Sequence, residues 1–537
     1  MCPRRGRCLR ERHGPVRPAQ PEGGRDEAPA CRAAGTGGNG GRPGSGPESF
    51  PLPCGPGLLS PARIMSTQIR FGTDGWRAVI AEGFTFANVA RVAQAAADYW
   101  RDHPVPGCDL RVVVGYDRRF FSDRFAECAA EVFAANGYEV LLTSMATPTP
   151  AVSLAVRDRR CIGGVMITAS HNPAIFNGFK LKSHYGGSSD PETCRAVESY
   201  LDRSPVRRLA AAEAQRQGRL RRVDLQPPHV RTVRRLVDFA AIGRSGLRVA
   251  HDALFGAGAG AFEALLAGTT CQVTSLHTEH DVLFGGLNPE PIPANYGPAA
   301  AFLRRHPHDL CLVTDGDADR LGAMDGRGRP LTTHQLVCLV LYHLHCHRGL
   351  KGRVVKALTL TSMVDKMCSA WGLPLLETGV GFKYICPEMI KGDVLLGAEE
   401  SGGMGLPGHI PERDGLAAGL MLLELLACER KPVRRVLLGL ERQFGPHRYG
   451  RHDLHLPQAR VAALLDRLRN APPDRLGRWP VAEVKTFDGI KLIANNGAWL
   501  MLRGSGTEPV LRIYAEAATD TDVRRLLKLG LRWTRQV

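Results

Sequence analysis

Three times along this chain an apolar, β-branched run gives way to helical spacing and then to another apolar run. Leu110–Tyr116 (LRVVVGY) leads into helical spacing over Asp123–Asn136, closed by Gly137 as a C-cap, and then into Tyr138–Thr143 and Cys161–Ile167. Leu247–His251, a helix over Ala261–Ala267 and Cys271–Leu276 repeat the order. So do Arg353–Leu358, a helix over Thr361–Trp371 and Pro374–Glu377. Parallel strands need a long crossover, and a helix is the usual one. The pattern therefore predicts three similar α/β domains with parallel or mixed sheets. The end of the chain breaks the rhythm. Val481–Phe487, Ile490–Ala494, Ala498–Leu502 and Leu511–Ala517 read as successive strands before an amphipathic helix from Thr521, which makes a closing α+β domain.

A length of 537 residues exceeds what one core supports, and the pattern divides it at about 206, 322 and 440. The expected domains are 65–205, 206–322, 323–440 and 441–537. Residues 1–64 stand apart: they are rich in Gly, Pro and Arg, contain no Lys and show no hydrophobic periodicity. Such a segment buries too little apolar surface to offset its ordering entropy. It reads as a disordered tail or as a start assigned upstream of Met65, and the nearness of Met65 to the first motif favours the second.

Bulk properties exclude several classes. No run approaches the roughly 18 apolar residues that span a bilayer, and Leu416–Leu426 reads as a core helix. The net charge of +17 comes mostly from Arg dispersed among acids, without an aromatic-interleaved stripe or a nucleic-acid-binding signature. A solvated basic surface suited to an anionic substrate is expected, with no nucleic-acid and no membrane partner. Fifteen cysteines without CxxC pairs or metal spacing fit reduced thiols, and no apolar leader region is present, so a cytoplasmic location is expected.

Chemistry-bearing residues gather in loops after strands, where α/β folds place their sites. Thr168-Ala169-Ser170-His171-Asn172-Pro173 follows an apolar strand, and Asn-Pro ends any helix there; a hydroxyl turn explains it as well as a nucleophile does. Asp315-Gly316-Asp317-Ala318-Asp319-Arg320 places carboxylates at alternate positions, which repel one another unless a cation joins them. All-oxygen ligands favour Mg²⁺, Mn²⁺ or Ca²⁺. An EF-hand fails because Gly326 stands where the twelfth-position Glu is needed, and an exposed acidic turn stays open. Arg320 beside it could fork onto a phosphate. Gly397-Ala398-Glu399-Glu400-Ser401-Gly402-Gly403 offers short polar groups for sugar hydroxyls, or is a plain loop. Arg503-Gly504-Ser505-Gly506-Thr507-Glu508-Pro509, with Arg512 beyond, is an anion nest or a tight hairpin. Phe71-Gly72-Thr73-Asp74-Gly75-Trp76-Arg77 is turn chemistry ending on a cation.

These five segments, in this order, resemble the α-D-phosphohexomutase family from about Gln68 to the C-terminus; TASHNP, DGDADR, EESGG and RGSGTEP carry the resemblance. It implies four domains around a central cleft, each giving one loop. Ser170 would be a phosphoserine, and Asp315, Asp317 and Asp319 would hold Mg²⁺ together with its oxygen. Lys180 matches a lysine assigned to proton transfer, Arg77 and Arg320 match arginines beside the serine, and His171 adjoins it. Glu399 and Ser401 match sugar-hydroxyl contacts. Arg503, Ser505, Gly506, Thr507 and Arg512 match a clamp for the non-reacting phosphate. The implied reaction interconverts hexose 1- and 6-phosphates through a hexose 1,6-bisphosphate, with glucose 1,6-bisphosphate as activator. The family contains monomers and homodimers, and either is implied here.

Within the family, Glu399-Glu400-Ser401 resembles glucose-using members rather than the glucosamine branch, and Lys383 in Gly381-Phe382-Lys383-Tyr384 resembles their aromatic–Lys pair. Phe382 stands where dual glucose/mannose enzymes can carry a histidine, and Gly402-Gly403 replaces their Gly-His. A glucose preference follows, with mannose 1-phosphate second. A phosphomannomutase or dual-specificity mutase is the first alternative, followed by phosphoglucosamine mutase, glucose 1,6-bisphosphate synthase, a silent sugar-phosphate binder and a nucleic-acid-binding protein; the silent binder predicts loss of Ser170 or an aspartate, and all are present.

Overall fold

A computed structural model of the chain describes residues 69–72, 75–504 and 510–536. The expected N-terminal extension, 1–64, and the clamp residues Ser505, Gly506 and Thr507 lie outside these.

Three sheets repeat one topology. In the first, Phe176–Ser183, Cys161–Ile167, Asp109–Tyr116 and Glu139–Thr143 are neighbours in that order. In the second the order is Leu321–Asp325, Leu310–Thr314, Arg248–Asp252, Gln272–Leu276. In the third it is Met404–Gly405, Val394–Ala398, Arg353–Ala357, Leu375–Thr378. Each time three parallel strands are followed by an antiparallel return strand beside the last of them. The loop between the last parallel strand and its return is the one that carries Ser170, the Asp315–Asp319 carboxylates or Glu399. The fully buried strands on which these loops sit, CIGGVMI, LCLVT and VLLGA, are apolar on both faces, as parallel strands covered by helices must be.

The fourth sheet is antiparallel throughout, in the order Arg448–His455, Val510–Ala517, Trp499–Gly504, Ile490–Ala494, Trp479–Lys485, Arg475–Leu476. The amphipathic helix Asp520–Thr534 closes it, started by the Thr519 side chain accepting from the Asp522 amide. The fold is thus three α/β units with mixed sheets and a C-terminal α+β unit.

Two of the expected boundaries fall inside these sheets. The first sheet takes in Leu220–Val223 beyond residue 205, and the second takes in Leu321–Asp325 and Pro330–Leu331 beyond 322. Leu220–Val223 (LRRV) is a short edge strand with two exposed arginines, so neither length nor alternation marks it in the sequence.

The run Leu416–Leu426 lies within the helix Gly415–Glu429, buried from Gly415 through Leu426. It belongs to one core with Leu310 and Leu312 of the second sheet and Val354 and Leu395 of the third, so it is a shared strut beneath two of the loops. Among the described residues no helix is long and apolar enough to cross a membrane.

Candidate active site

Ser170 has a left-handed backbone (φ 53°), which costs a residue with a Cβ about 1–3 kcal/mol unless its surroundings impose it. The surroundings are specific. The Ser170 amide donates to Thr168 Oγ1 at 2.8 Å, and that hydroxyl donates to Asp117 Oδ2 at 2.5 Å. Arg119, paired with Asp117 at 3.3 Å and fully buried, gives Nη2 to the carbonyls of Ser170 (2.6 Å) and Asn172 (2.7 Å). Its Nη1 goes to those of Pro173 (2.9 Å) and Phe176 (3.0 Å). One buried guanidinium therefore holds four carbonyls of the loop in place. Arg77, on the strand Trp76–Val79, donates to Asn172 Oδ1 at 2.7 Å from the other side.

The acidic loop meets this serine. Ser170 Oγ donates to Asp315 Oδ2 at 2.8 Å. Gly316 permits the approach, because a Cβ there would stand 2.5 Å from the Ser170 carbonyl oxygen. Asp315, Asp317 and Asp319 are fully buried, and one carboxylate oxygen from each lies within 4.8 Å of the others. Lys180 Nζ donates to Asp317 Oδ2 at 2.8 Å and to Asp319 Oδ2 at 3.3 Å. Thr149 Oγ1 adds a second donor to Asp317 Oδ2, at 2.6 Å. Arg320 Nε stands 4.0 Å from Asp315 and 3.7 Å from Asp319 Oδ1. Burial, then repulsion from Asp317 and Asp319, holds the Asp315 carboxyl well above the usual carboxylate range. Asp319 Oδ1 is buried and has no hydrogen-bond partner among the described residues. Three buried, converging carboxylates with such an oxygen fit a hard divalent cation.

A second cluster of potential metal ligands is explained without an ion. His229 and His409 direct Nε2 to Asp414 Oδ2 at 2.6 and 2.8 Å, and the other Asp414 oxygen caps the Gly415–Glu429 helix.

Glu399 is 4 % exposed; burial, then the adjacent Glu400, raises its carboxyl to about 7 against the opposing pull of Arg413 and Arg320. Ser401 Oγ and Glu400 Oε2 are buried without hydrogen-bond partners among the described residues, as groups awaiting a ligand would be. His171 is half-buried; burial, together with Arg320, Arg77, Lys180 and Arg119, holds its imidazole neutral at physiological pH. In the fourth sheet Arg503 and Arg512 are cross-strand partners. Arg503 Nε donates to Asp488 at 2.9 Å, while Arg512 Nε stands 3.7 Å from Asp453. Tyr514, two residues on from Arg512, has a buried hydroxyl without a partner among the described residues.

The structure thus brings together Ser170, His171, Lys180, Arg77, Arg320 and the three aspartates, with Glu399 linked to them through Arg413. Lys383 lines a cavity of about 690 Å³ with Phe71, Arg195 and Glu198. Sequence reasoning missed Asp117, Arg119, Thr149 and Arg413. Asp117 and Arg119 directly follow the strand Asp109–Tyr116, at the same carboxyl end as the loops it did find. Arg413 offers only its place before an apolar helix.

Comparison with known proteins agrees with this geometry. Residues 68–207, 227–328 and 332–444 match the phosphoglucomutase/phosphomannomutase alpha/beta/alpha domains I, II and III, and residues 457–528 match the C-terminal domain of the same family. A phosphoglucosamine mutase of Novosphingobium aromaticivorans is 30% identical over 85% of this chain and 96% of its own. A phosphoglucomutase/phosphomannomutase of Thermococcus kodakarensis is 28% identical over 86% of this chain and 97% of its own. A crystal structure from Thermus thermophilus, described as a phosphomannomutase, superposes with a TM-score of 0.76 at 35% identity, covering 88% of this chain and all of that one. With all four domains present in order, the chain belongs to the phosphoglucomutase/phosphomannomutase family of α-D-phosphohexomutases, enzymes that transfer a phosphoryl group within one sugar.

Proposed function

We propose that this phosphohexomutase is a phosphoglucomutase that interconverts glucose 1-phosphate and glucose 6-phosphate through a phosphorylated Ser170. The observation that carries the reading is Ser170 itself, held in a left-handed backbone with Oγ 2.8 Å from Asp315 at the edge of the acidic triad. Phosphoryl transfer demands positioning and neutralisation of spread charge more than covalent chemistry, and the loop is built for positioning. Mg²⁺ would be held by Asp315, Asp317, Asp319 and a Ser170 oxygen, and when bound it would supply charge neutralisation for the phosphoryl group.

In the proposed cycle the free hydroxyl oxygen of a bound hexose monophosphate bonds to phosphorus as the bond from phosphorus to Ser170 Oγ breaks. Lys180, as the neutral amine, takes the hydroxyl proton and becomes the ammonium that pairs with Asp317 and Asp319. After the bisphosphate has turned over in the site, its other phosphoryl group returns to Ser170 Oγ and Lys180 returns the proton to the oxygen released. Arg503, Arg512 and Ser505, Gly506 and Thr507 hold the non-reacting phosphate, Glu399 and Ser401 the sugar hydroxyls, and Arg77 and Arg320 the charge beside Ser170. Glucose 1,6-bisphosphate activates by phosphorylating Ser170.

Glu399-Glu400-Ser401 supports glucose over an amino sugar. The similar relatives named phosphoglucosamine mutases support a second reading, glucosamine 1-phosphate. The deciding experiment compares kcat/KM for the 1-phosphates of glucose, mannose and glucosamine, with Mg²⁺ and a trace of glucose 1,6-bisphosphate. A preference above about tenfold for glucose, roughly 1.4 kcal/mol, is expected. A preference for either competitor replaces the substrate, and a ratio near one makes the enzyme a dual-specificity mutase.

A further inference from the structure

Arg413 occupies a position that neither a packing role nor the proposed catalytic residues account for. It is 3 % exposed and belongs to no catalytic loop. Its Nη2 donates to Asp319 Oδ2 at 2.7 Å and its Nη1 to Glu399 Oε2 at 3.3 Å, so one guanidinium joins the acidic loop to the sugar loop. Together with Lys180 it occupies Oδ2 of Asp319, which leaves Oδ1, without a hydrogen-bond partner among the described residues, as the oxygen available to a cation.

The surroundings are shaped to this side chain. A Cβ on Gly403 would lie 2.2 Å from Arg413 Cδ, so the stem of the arginine fills the space that any larger residue would take. The ring of Phe382, itself buried, stands 5.6 Å from the guanidinium carbon and walls it in. The backbone is anchored as well. The Arg413 amide donates to Glu412 Oε1 at 2.9 Å, and Glu412 Oε2 accepts from Lys182 Nζ at 2.6 Å and Ser188 Oγ at 2.7 Å, all buried. Lys182 lies two residues beyond Lys180 on the strand Phe176–Ser183, so the strand that sends Lys180 to the aspartates also fixes the base of Arg413. A guanidinium is the one side chain that can fork rigidly onto two carboxylates here.

We propose that Arg413 is a positioning residue that couples sugar recognition at Glu399 to the orientation of Asp319, with Gly403 present to admit it. The inference rests on the mutase reading above. Its test is a set of variants, Arg413→Met, Arg413→Lys, Gly403→Ala and Gly403→Ala with Arg413→Met, assayed for kcat and KM on glucose 1-phosphate and followed by thermal melting. Arg413→Met is expected to raise KM roughly tenfold or more, the size of a lost charge-assisted contact. Arg413→Lys, which reaches one carboxylate at a time, should recover part of that loss. Gly403→Ala, which displaces the arginine without removing it, should raise KM similarly, and the double variant should be no worse than the worse single one.

A residue that only packs would lower the melting temperature and the active fraction while leaving KM alone. KM within about twofold of wild type in Arg413→Met, or losses in the pair that multiply, overturns the inference. If Arg413→Met does not fold, Arg413→Lys and Gly403→Ala decide it by the same KM criterion. Absence of turnover by the wild-type enzyme on every hexose phosphate removes the mutase reading and the inference with it, whereas normal wild-type turnover with unchanged variant KM removes the inference alone.

Discussion

Ser170 Oγ and Asp315 Oδ2 meet at 2.8 Å although they sit at the ends of strands in two different sheets, 145 residues apart. The contact joins the group proposed to carry the phosphoryl to the group proposed to help neutralise it. Ser170→Ala should therefore abolish mutase turnover while the fold persists. Ser170→Gly should do the same and, with no Cβ at φ 53°, be about 1 kcal/mol more stable than the Ala variant by denaturant melts. Substantial residual turnover in either would remove Ser170 from the mechanism.

The Arg119–Asp117 pair predicts a different kind of failure. Arg119→Met strips four loop carbonyls of a donor and leaves Asp117 buried without its cation, a situation that costs about 3–5 kcal/mol. Replacing Asp117 by Asn in the same chain should recover part of the stability, because the uncompensated charge is gone. It should not recover turnover, because the carbonyls of Ser170 and Asn172 are still unheld. Recovery of both together would show that Arg119 acts only through the ion pair.

Metal and proton should compete at the acidic loop. The Asp315 carboxyl is raised by burial and by its neighbours, so the folded, metal-free protein holds a proton there more tightly than the unfolded chain does. A raised carboxyl favours the fold below its folded value, and that contribution is lost as pH rises through it. A cation that replaces the proton should stabilise the fold by about 2.7 kcal/mol at a hundredfold excess over its dissociation constant. The rise in melting temperature with Mg²⁺ should therefore shrink as pH is lowered, and should be weaker in Asp317→Asn. An equal rise at all pH values in both proteins counts against the triad as the metal site.

What could be read from the sequence follows a physical divide. Cys161–Ile167 and Ile490–Ala494 were legible to the residue because buried strands announce themselves as short apolar runs, and the aspartate loop because like charges at alternate positions need a reason. Arg119 and Arg413 were not. The chain has 70 Lys and Arg, and nothing adjacent in sequence separates an arginine that bridges Asp319 and Glu399 from one that is solvated. Their partners are brought close only by the packing of whole sheets, which local periodicity does not encode.

Glu399 should make substrate affinity depend on pH near neutrality. Its carboxyl is raised to about 7 by burial and by Glu400, so it is part-protonated under ordinary assay conditions. In the proposed site the ionised form is the better acceptor for sugar hydroxyls, so KM for glucose 1-phosphate should fall as pH rises from about 6 to 8, with a midpoint near 7. For stability the sign is opposite: a raised carboxyl favours the fold at low pH and loses that contribution as pH passes its folded value. Glu399→Gln removes the titration, so its KM should be high and flat across the same range while the phosphate contacts are intact. The measurement is KM for glucose 1-phosphate against pH at constant ionic strength, in wild type and Glu399→Gln. A wild-type KM that does not change between pH 6 and 8, or a Gln variant that retains the slope, would take Glu399 out of sugar recognition and leave Ser401 as the loop's contact with the hexose.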